Sequence, residues 1–229
     1  MIPLVSTINA LNSATAFLFA GYLYTRTRTQ YSASASYFTF FFLCYGVMWA
    51  LYSAPGIMTA SPYGAAIFHS LGDVMLFITS IVGVRISFFA FEKSLQKNIW
   101  TVLFLSAGIV YAILRYKYFA PHLVIQSGQY TYWQPNIPQW LVAIPGSVAA
   151  VASFVFMTVF FILGRRAGGD PGVYYRSMHF VVGMGCILAA AVLFFIVSIA
   201  SPTLAVTSSL LSVIGLLIML RGVLVYRTS

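Results

Sequence analysis

Few side chains in this 229-residue chain could do chemistry, and the tightest group is His69 with Asp73, one helical turn apart. A histidine changes charge near neutral pH, and a neighbouring carboxylate favours its protonated form. At 100° per residue, Ser80 and Ser87 fall within about 40° of the same line, so one helix would carry a polar stripe. Asp73 is the only carboxylate inside an apolar stretch. A charge near the centre of a membrane helix costs about 2.5–3.5 kcal/mol on insertion scales, so such a stripe should face other helices. Two readings stay open. The pair with Ser80 could respond to a proton, a cation or a small ligand, or it could be an interhelical hydrogen-bond clamp that only fixes packing.

The elements that must position these groups are seven long apolar stretches. The chain is 61% hydrophobic and 7% charged, with a mean hydropathy of +0.92, which excludes an ordinary soluble domain. A helix needs about 20 apolar residues to cross a hydrocarbon core roughly 30 Å thick. The expected spans are 4–25, 34–54, 63–91, 98–119, 139–164, 174–200 and 203–225, which give an all-α, integral-membrane seven-helix bundle in a single domain over 1–229. A barrel would show strands of about ten residues with alternating polarity.

Alternate connections carry very different charge. One set holds Arg26, Arg28, Lys93, Lys97, Arg165, Arg166, Arg176, Arg221 and Arg227, and the other only Arg115 and Lys117. This positive-inside bias places the amino terminus outside and the carboxyl terminus in the cytoplasm of a multi-pass cell-membrane protein. The net charge of +9 then reflects topology and contact with anionic lipid headgroups, not nucleic acid. Arg85 lies about 160° from the His69 stripe and should snorkel toward the inner headgroups. Arg165, Arg166, Arg176 and Arg221 fit either lipid or a protein partner on that side. Basic residues follow rather than precede the first apolar run, so it does not read as a cleaved signal peptide.

Between spans, Pro55-Gly56 predicts the end of the second helix. The only long connection, 120–138, holds His122, Tyr132 and Trp133 as outer contact residues. It reads as an interfacial loop held by its aromatics, with a small hairpin around Ser127-Gly128 as the alternative. Ser6, Thr7, Asn9, Asn12, Ser13 and Thr15 should make the first helix pack against protein rather than face lipid alone. Thr207, Ser208, Ser209 and Ser212 should bond within or between helices. A small-residue face, Gly183, Cys186 and Ala190, should let another helix approach the sixth closely.

Missing parts argue against enzymes and pigments. The last span has no lysine for a retinal Schiff base, and no metalloprotease or nucleophile-elbow pattern is present. Haem between two histidines would need His69 and His179 at one depth, but they fall at opposite ends. Cys44 and Cys186 lie in separate spans without metal-type spacing. No cofactor, metal or enzymatic activity is expected.

With the spans placed, the layout resembles the amino-terminal seven-helix sensor region of some bacterial histidine kinases. The likeness lies in the basic turn Arg26-Thr27-Arg28, the Phe-rich second span from Phe38 to Tyr52 with Trp49, the Arg165-Arg166 turn, and Tyr174-Tyr175-Arg176. It implies a sensor coupled to cytoplasmic signalling domains. This sequence reaches Ser229 without them, so it would report through a partner. The reading is therefore a non-enzymatic receptor or sensor that responds to a small ligand or pH outside and contacts a partner inside. An accessory subunit of a larger membrane complex and a small proton-coupled carrier or channel are the alternatives.

Overall fold

The computed structural model describes residues 3–29, 33–58, 61–89, 94–127, 130–167, 170–197 and 202–224. Its helices are α1 (Leu4–Thr29), α2 (Ala33–Met58), α3 (Pro62–Phe89), α4 (Ser94–Lys117), α5 (Gln139–Arg166), α6 (Pro171–Val192) and α7 (Pro202–Leu224). All seven are long and apolar enough to cross a membrane. In hydrocarbon only a structure that pairs its own backbone survives, and these uninterrupted apolar runs satisfy that condition as helices. The chain is thus an all-α, multi-pass membrane protein.

Successive helices pack on one another, α3 also packs on α5, and α1 meets α7 to close the bundle. The core is largely aromatic and follows α2. Phe38, Phe41, Phe42, Tyr45, Trp49 and Tyr52 are buried among Phe156, Phe180 and Phe195. Phe38 stacks on Phe180 with centroids 4.9 Å apart, and Trp49 meets Phe194 edge-on at 5.6 Å. By contrast α4 packs mainly on α3 and presents Val102, Leu105, Ile109 and Ile113 outward, as a lipid-facing helix should.

Most polar residues of α1 and α7 turn inward, but Thr7 and Thr207 are exposed and Thr15 is half-buried. Ser6, Asn9, Asn12 and Ser13 are buried, while Thr7 is exposed and bonds back to the Pro3 carbonyl at 3.0 Å. Ser209 donates to Asn9 Oδ1 at 3.0 Å, Ser208 to the Ala190 carbonyl at 2.7 Å, and Thr207 back to Thr203 at 2.9 Å. Ser212 and the Tyr45 hydroxyl share a 2.5 Å hydrogen bond. The expected small face of α6 meets α7 backbone to backbone. A Cβ on Gly183 would stand 2.7 Å from the Gly215 carbonyl oxygen, and one on Gly215 would stand 2.6 Å from that of Gly183. Only two glycines allow this crossing.

Where α6 begins, Asp170 supplies the cap. Its carboxylate accepts from the amides of Gly172 (2.8 Å) and Val173 (3.2 Å), with Pro171 in the first helical position. At its other end α6 widens into a π-turn over Leu193–Val197.

Two local expectations are corrected. Helix α2 does not stop at Pro55 but continues to Met58 with Pro55 buried inside it. A proline in the last turn forfeits a single backbone bond, and Gly56 beside it lets Ser6 of α1 and Pro3, which precedes that helix, approach. The 120–138 connection is not an irregular interfacial loop. It forms an antiparallel hairpin of β1 (Leu123–Ser127) and β2 (Tyr130–Gln134), with Val124 opposite Trp133 and Ile125 opposite Tyr132. Pairing satisfies backbone groups that a loop against the apolar bundle would leave short of partners, and β-branched and aromatic residues suit the pleat. The turn residues Gly128 and Gln129 lie outside the described residues.

Candidate functional site

A cavity of about 180 Å³ lies between the hairpin and the end of the bundle where α1, α3, α5 and α7 begin and α2, α4 and α6 end. That alternation places early residues of odd helices beside late residues of even ones. Asn9 of α1, His69 and Asp73 of α3 and Val142 of α5 therefore meet Tyr52 of α2, Tyr111 and Arg115 of α4 and Phe194 of α6 around one space. Tyr132, Trp133 and Gln134 of β2 cover it.

Asp73 forms the floor. It is 8% exposed, and both carboxylate oxygens accept phenolic hydrogen bonds, Oδ1 from Tyr52 at 2.7 Å and Oδ2 from Tyr111 at 2.5 Å. Short O–H···O⁻ contacts of this kind are the strong class of hydrogen bond. They join α2, α3 and α4 through a single side chain. Phe77 packs on the Tyr111 ring with centroids 5.5 Å apart and holds it in place.

His69 does not use the carboxylate one turn away. Its Nδ1 lies 2.6 Å from Nε2 of His122, which is 3% exposed. One of these nitrogens must donate and the other accept, so a single proton sits between the rings. The backbone amide of His122 donates to the Pro62 carbonyl at 3.1 Å, tying the approach to the hairpin to the start of α3. Burial pushes the His122 imidazole far below its ordinary value, to about 2, and the adjacent His69 and the Arg115 cation push the same way. His122 is therefore neutral at pH 7. It is a buried strut, not the exposed loop contact the sequence suggested.

Arg115 is the largest departure from expectation. The sequence counted it with Lys117 as one of the two cations in the sparsely charged set of connections. Lys117 is exposed, but Arg115 is 4% exposed and lines the cavity. Its Nε and Nη1 are buried and have no hydrogen-bond acceptor among the described residues. A guanidinium only donates hydrogen bonds, so it keeps two directed donors here.

The remaining expected residues separate into groups. Tyr132 and Trp133 are half-buried and wall the cavity instead of standing free on a loop. Ser80 is buried but lines a second, smaller cavity of about 60 Å³ with Tyr45, Trp49 and Thr79, away from His69 and Asp73. Farther along α3, Ser87 bonds back to the Gly83 carbonyl at 3.0 Å. The stripe thus faces protein as expected but serves different surroundings along its length. Arg85 is half-buried on the same helix. Arg165, Arg166 and Arg221 are exposed at the bundle end opposite the hairpin, where the half-buried Arg176 lies 6.0 Å from the Phe180 ring centroid. His179 at that end is close to its own helix backbone, with Nδ1 2.8 Å from the Tyr175 carbonyl.

Tyr52, Tyr111 and Arg115 were not singled out from the sequence. Two of fifteen tyrosines in an aromatic-rich chain carry no local mark. The usable signal was general: a carboxylate buried in a membrane helix requires donors from other helices. No protein-family profile matches the chain, and no curated protein matches its sequence.

Proposed function

We propose that this chain is a non-enzymatic receptor or sensor that takes a small molecule into the cavity beneath the hairpin and reports it at the arginine-rich end. The observation behind this reading is the cavity itself. It gathers the buried Asp73 and Arg115 and the half-buried His69, which is bonded to His122, under a cover strand at the end of a seven-helix bundle. Pockets with a mostly apolar lining and a few convergent polar groups are the usual form of ligand sites. The charge asymmetry of the connections orients the hairpin outward and Arg165, Arg166, Arg176 and Arg221 toward the cytoplasm. There they would meet anionic headgroups and a protein partner. The likeness to histidine-kinase sensor regions belongs to the same reading.

One set of aromatic contacts leads inward from the cavity. Phe194 and Phe195, in the π-turn of α6, line both the hairpin cavity and the smaller cavity below it. Phe195 also packs against Gly146 of α5, where a Cβ would clash with its side chain. Occupancy above Phe194 would therefore press on the α5–α6 contact. A direct test puts spin labels on Arg166→Cys and Arg221→Cys with Cys44 and Cys186 replaced by alanine, and fills the cavity with Val142→Trp. The expected result is a change of about 1–2 Å or more in the distance between labels, the scale of helix shifts in switching proteins. An unchanged distance distribution in a folded variant would defeat the sensor reading.

A further inference from the structure

The hairpin cavity also carries a statement about what it binds, and this rests on its being a ligand site. We infer that the ligand is a compact organic anion, an acid with an apolar body about the size of one ring, held through its anionic group by Arg115.

Three observations converge on this class. The first is the cation. Arg115 is more than nine-tenths buried, faces the cavity, and has Nε and Nη1 without an acceptor among the described residues. Asp73 and the Tyr111 hydroxyl already interact with this guanidinium, and an incoming anion would take the two N–H groups that they leave without an acceptor. The second is that the site's own carboxylate is already engaged, because Tyr52 and Tyr111 occupy one oxygen each. Asp73 is held as part of the wall, while the guanidinium retains donors. The two histidines bond to each other and add no acceptor charge to compete. The third is shape and polarity. Phe194, Phe195, Val142 and Ala205 add apolar lining to the polar groups of the same cavity. A dry cavity of about 150 Å³ accepts a benzene-sized molecule, so about 180 Å³ suits a single-ring acid.

A cationic amine would use Asp73 in place of Arg115, and a neutral molecule would use neither; both are separable by experiment. The full chain, in nanodiscs of phosphatidylcholine, is titrated with benzoate, cyclohexanecarboxylate and hexanoate, and with benzamide and benzylamine, while its melting temperature is followed. At about 10 mM, an acid with a dissociation constant near 0.1 mM raises stability by the mass-action factor for a hundredfold excess. We expect at least one acid to raise the melting temperature and to bind ten-fold or more tightly than benzamide. Arg115→Gln should remove that preference, and Val142→Trp, which leaves the guanidinium in place, should weaken the acid by crowding its body. Arg85→Gln, on the same bundle but outside the cavity, should leave binding unchanged. Nanodiscs containing phosphatidylglycerol separate the two sources of an anion. Loss of acid binding there, dependent on Arg115, assigns the group to a lipid headgroup, and unchanged binding assigns it to a soluble acid.

No stabilisation by any of the three acids overturns the inference, as does equal binding of benzoate and benzamide, or tighter binding of benzylamine. Retention of the acid preference in Arg115→Gln does the same, as does undiminished acid binding in Val142→Trp. The outcomes stay distinct from those of the sensor reading. Acid binding without movement of the Arg166–Arg221 labels preserves the ligand class and defeats the sensor, and label movement on cavity filling without acid binding does the reverse.

Discussion

The hydrogen bond from Tyr111 to Asp73 allows the strictest test of the site. Tyr111→Phe keeps the ring and its packing on Phe77 and removes only the hydroxyl 2.5 Å from Oδ2. In a soluble core, a hydrogen bond to a charged group contributes about 1.5–3 kcal/mol, and orphaning its partner costs on that order. Within membranes the unfolded reference also finds partners, and measured couplings average about 0.6 kcal/mol with a maximum near 1.7. A short bond to a carboxylate that also accepts from Tyr52 belongs at the upper end, so a coupling of about 1.5 kcal/mol is expected. The assay is a double-mutant cycle of Tyr111→Phe and Asp73→Asn, using reversible unfolding of the reconstituted protein in mixed micelles. Tyr111→Phe should be clearly destabilising in the wild-type background and nearly neutral beside Asp73→Asn, because the strong acceptor is then already lost. A coupling below about 0.5 kcal/mol would show that the carboxylate does not hold α3 and α4 together, and the account of the cavity floor would fail.

Further expectations concern the cover, the helix crossing and the topology. Because His122 is held neutral far below its unfolded value, the unfolded chain binds the extra proton below pH 6.5. Its contribution is complete above that pH and shrinks as pH falls, by about 2 kcal/mol between pH 7 and 5. Unfolding curves at the two pH values should show this loss, and His122→Asn should reduce it; a wild-type profile that is flat there would contradict the buried imidazole. Gly183→Ala should cost about 1–3 kcal/mol in the same unfolding assay, since its Cβ would stand 2.7 Å from the Gly215 carbonyl; a neutral effect would mean that α6 and α7 do not cross there. A membrane-impermeant maleimide should label Gln126→Cys but not Arg166→Cys in intact cells with both native cysteines removed, and the opposite pattern would reverse the assignment of faces.

How much of this was legible follows from the length over which each signal acts. Seven helices, their approximate limits, the inward face of Asn9 and Asn12 and the glycine face of α6 are all set by periodicity and apolar length. Lipid enforces these within a single segment. The hairpin was only an alternative, because short alternating runs beside aromatic anchors fit a strand or an interfacial loop equally well until the backbone has to find partners. Pro55 misled because a helix-breaking residue costs little in the last turn of a well-packed helix.

The amino-acid sequence by itself determined seven stretches long and apolar enough to cross a membrane, and that Asp73 must be shielded from hydrocarbon. Both follow from the cost of placing polar groups in an apolar solvent, which any one helix already faces. Tertiary structure alone decided which groups shield it. Tyr52 and Tyr111 come from two neighbouring helices, His69 turns away to His122, and Arg115 is drawn under the hairpin instead of into the headgroups. Those choices depend on the rotation and depth of one helix against another and on a strand pair that closes above them. No local pattern encodes that information, because the partners lie up to 53 residues apart and meet only when the bundle is assembled.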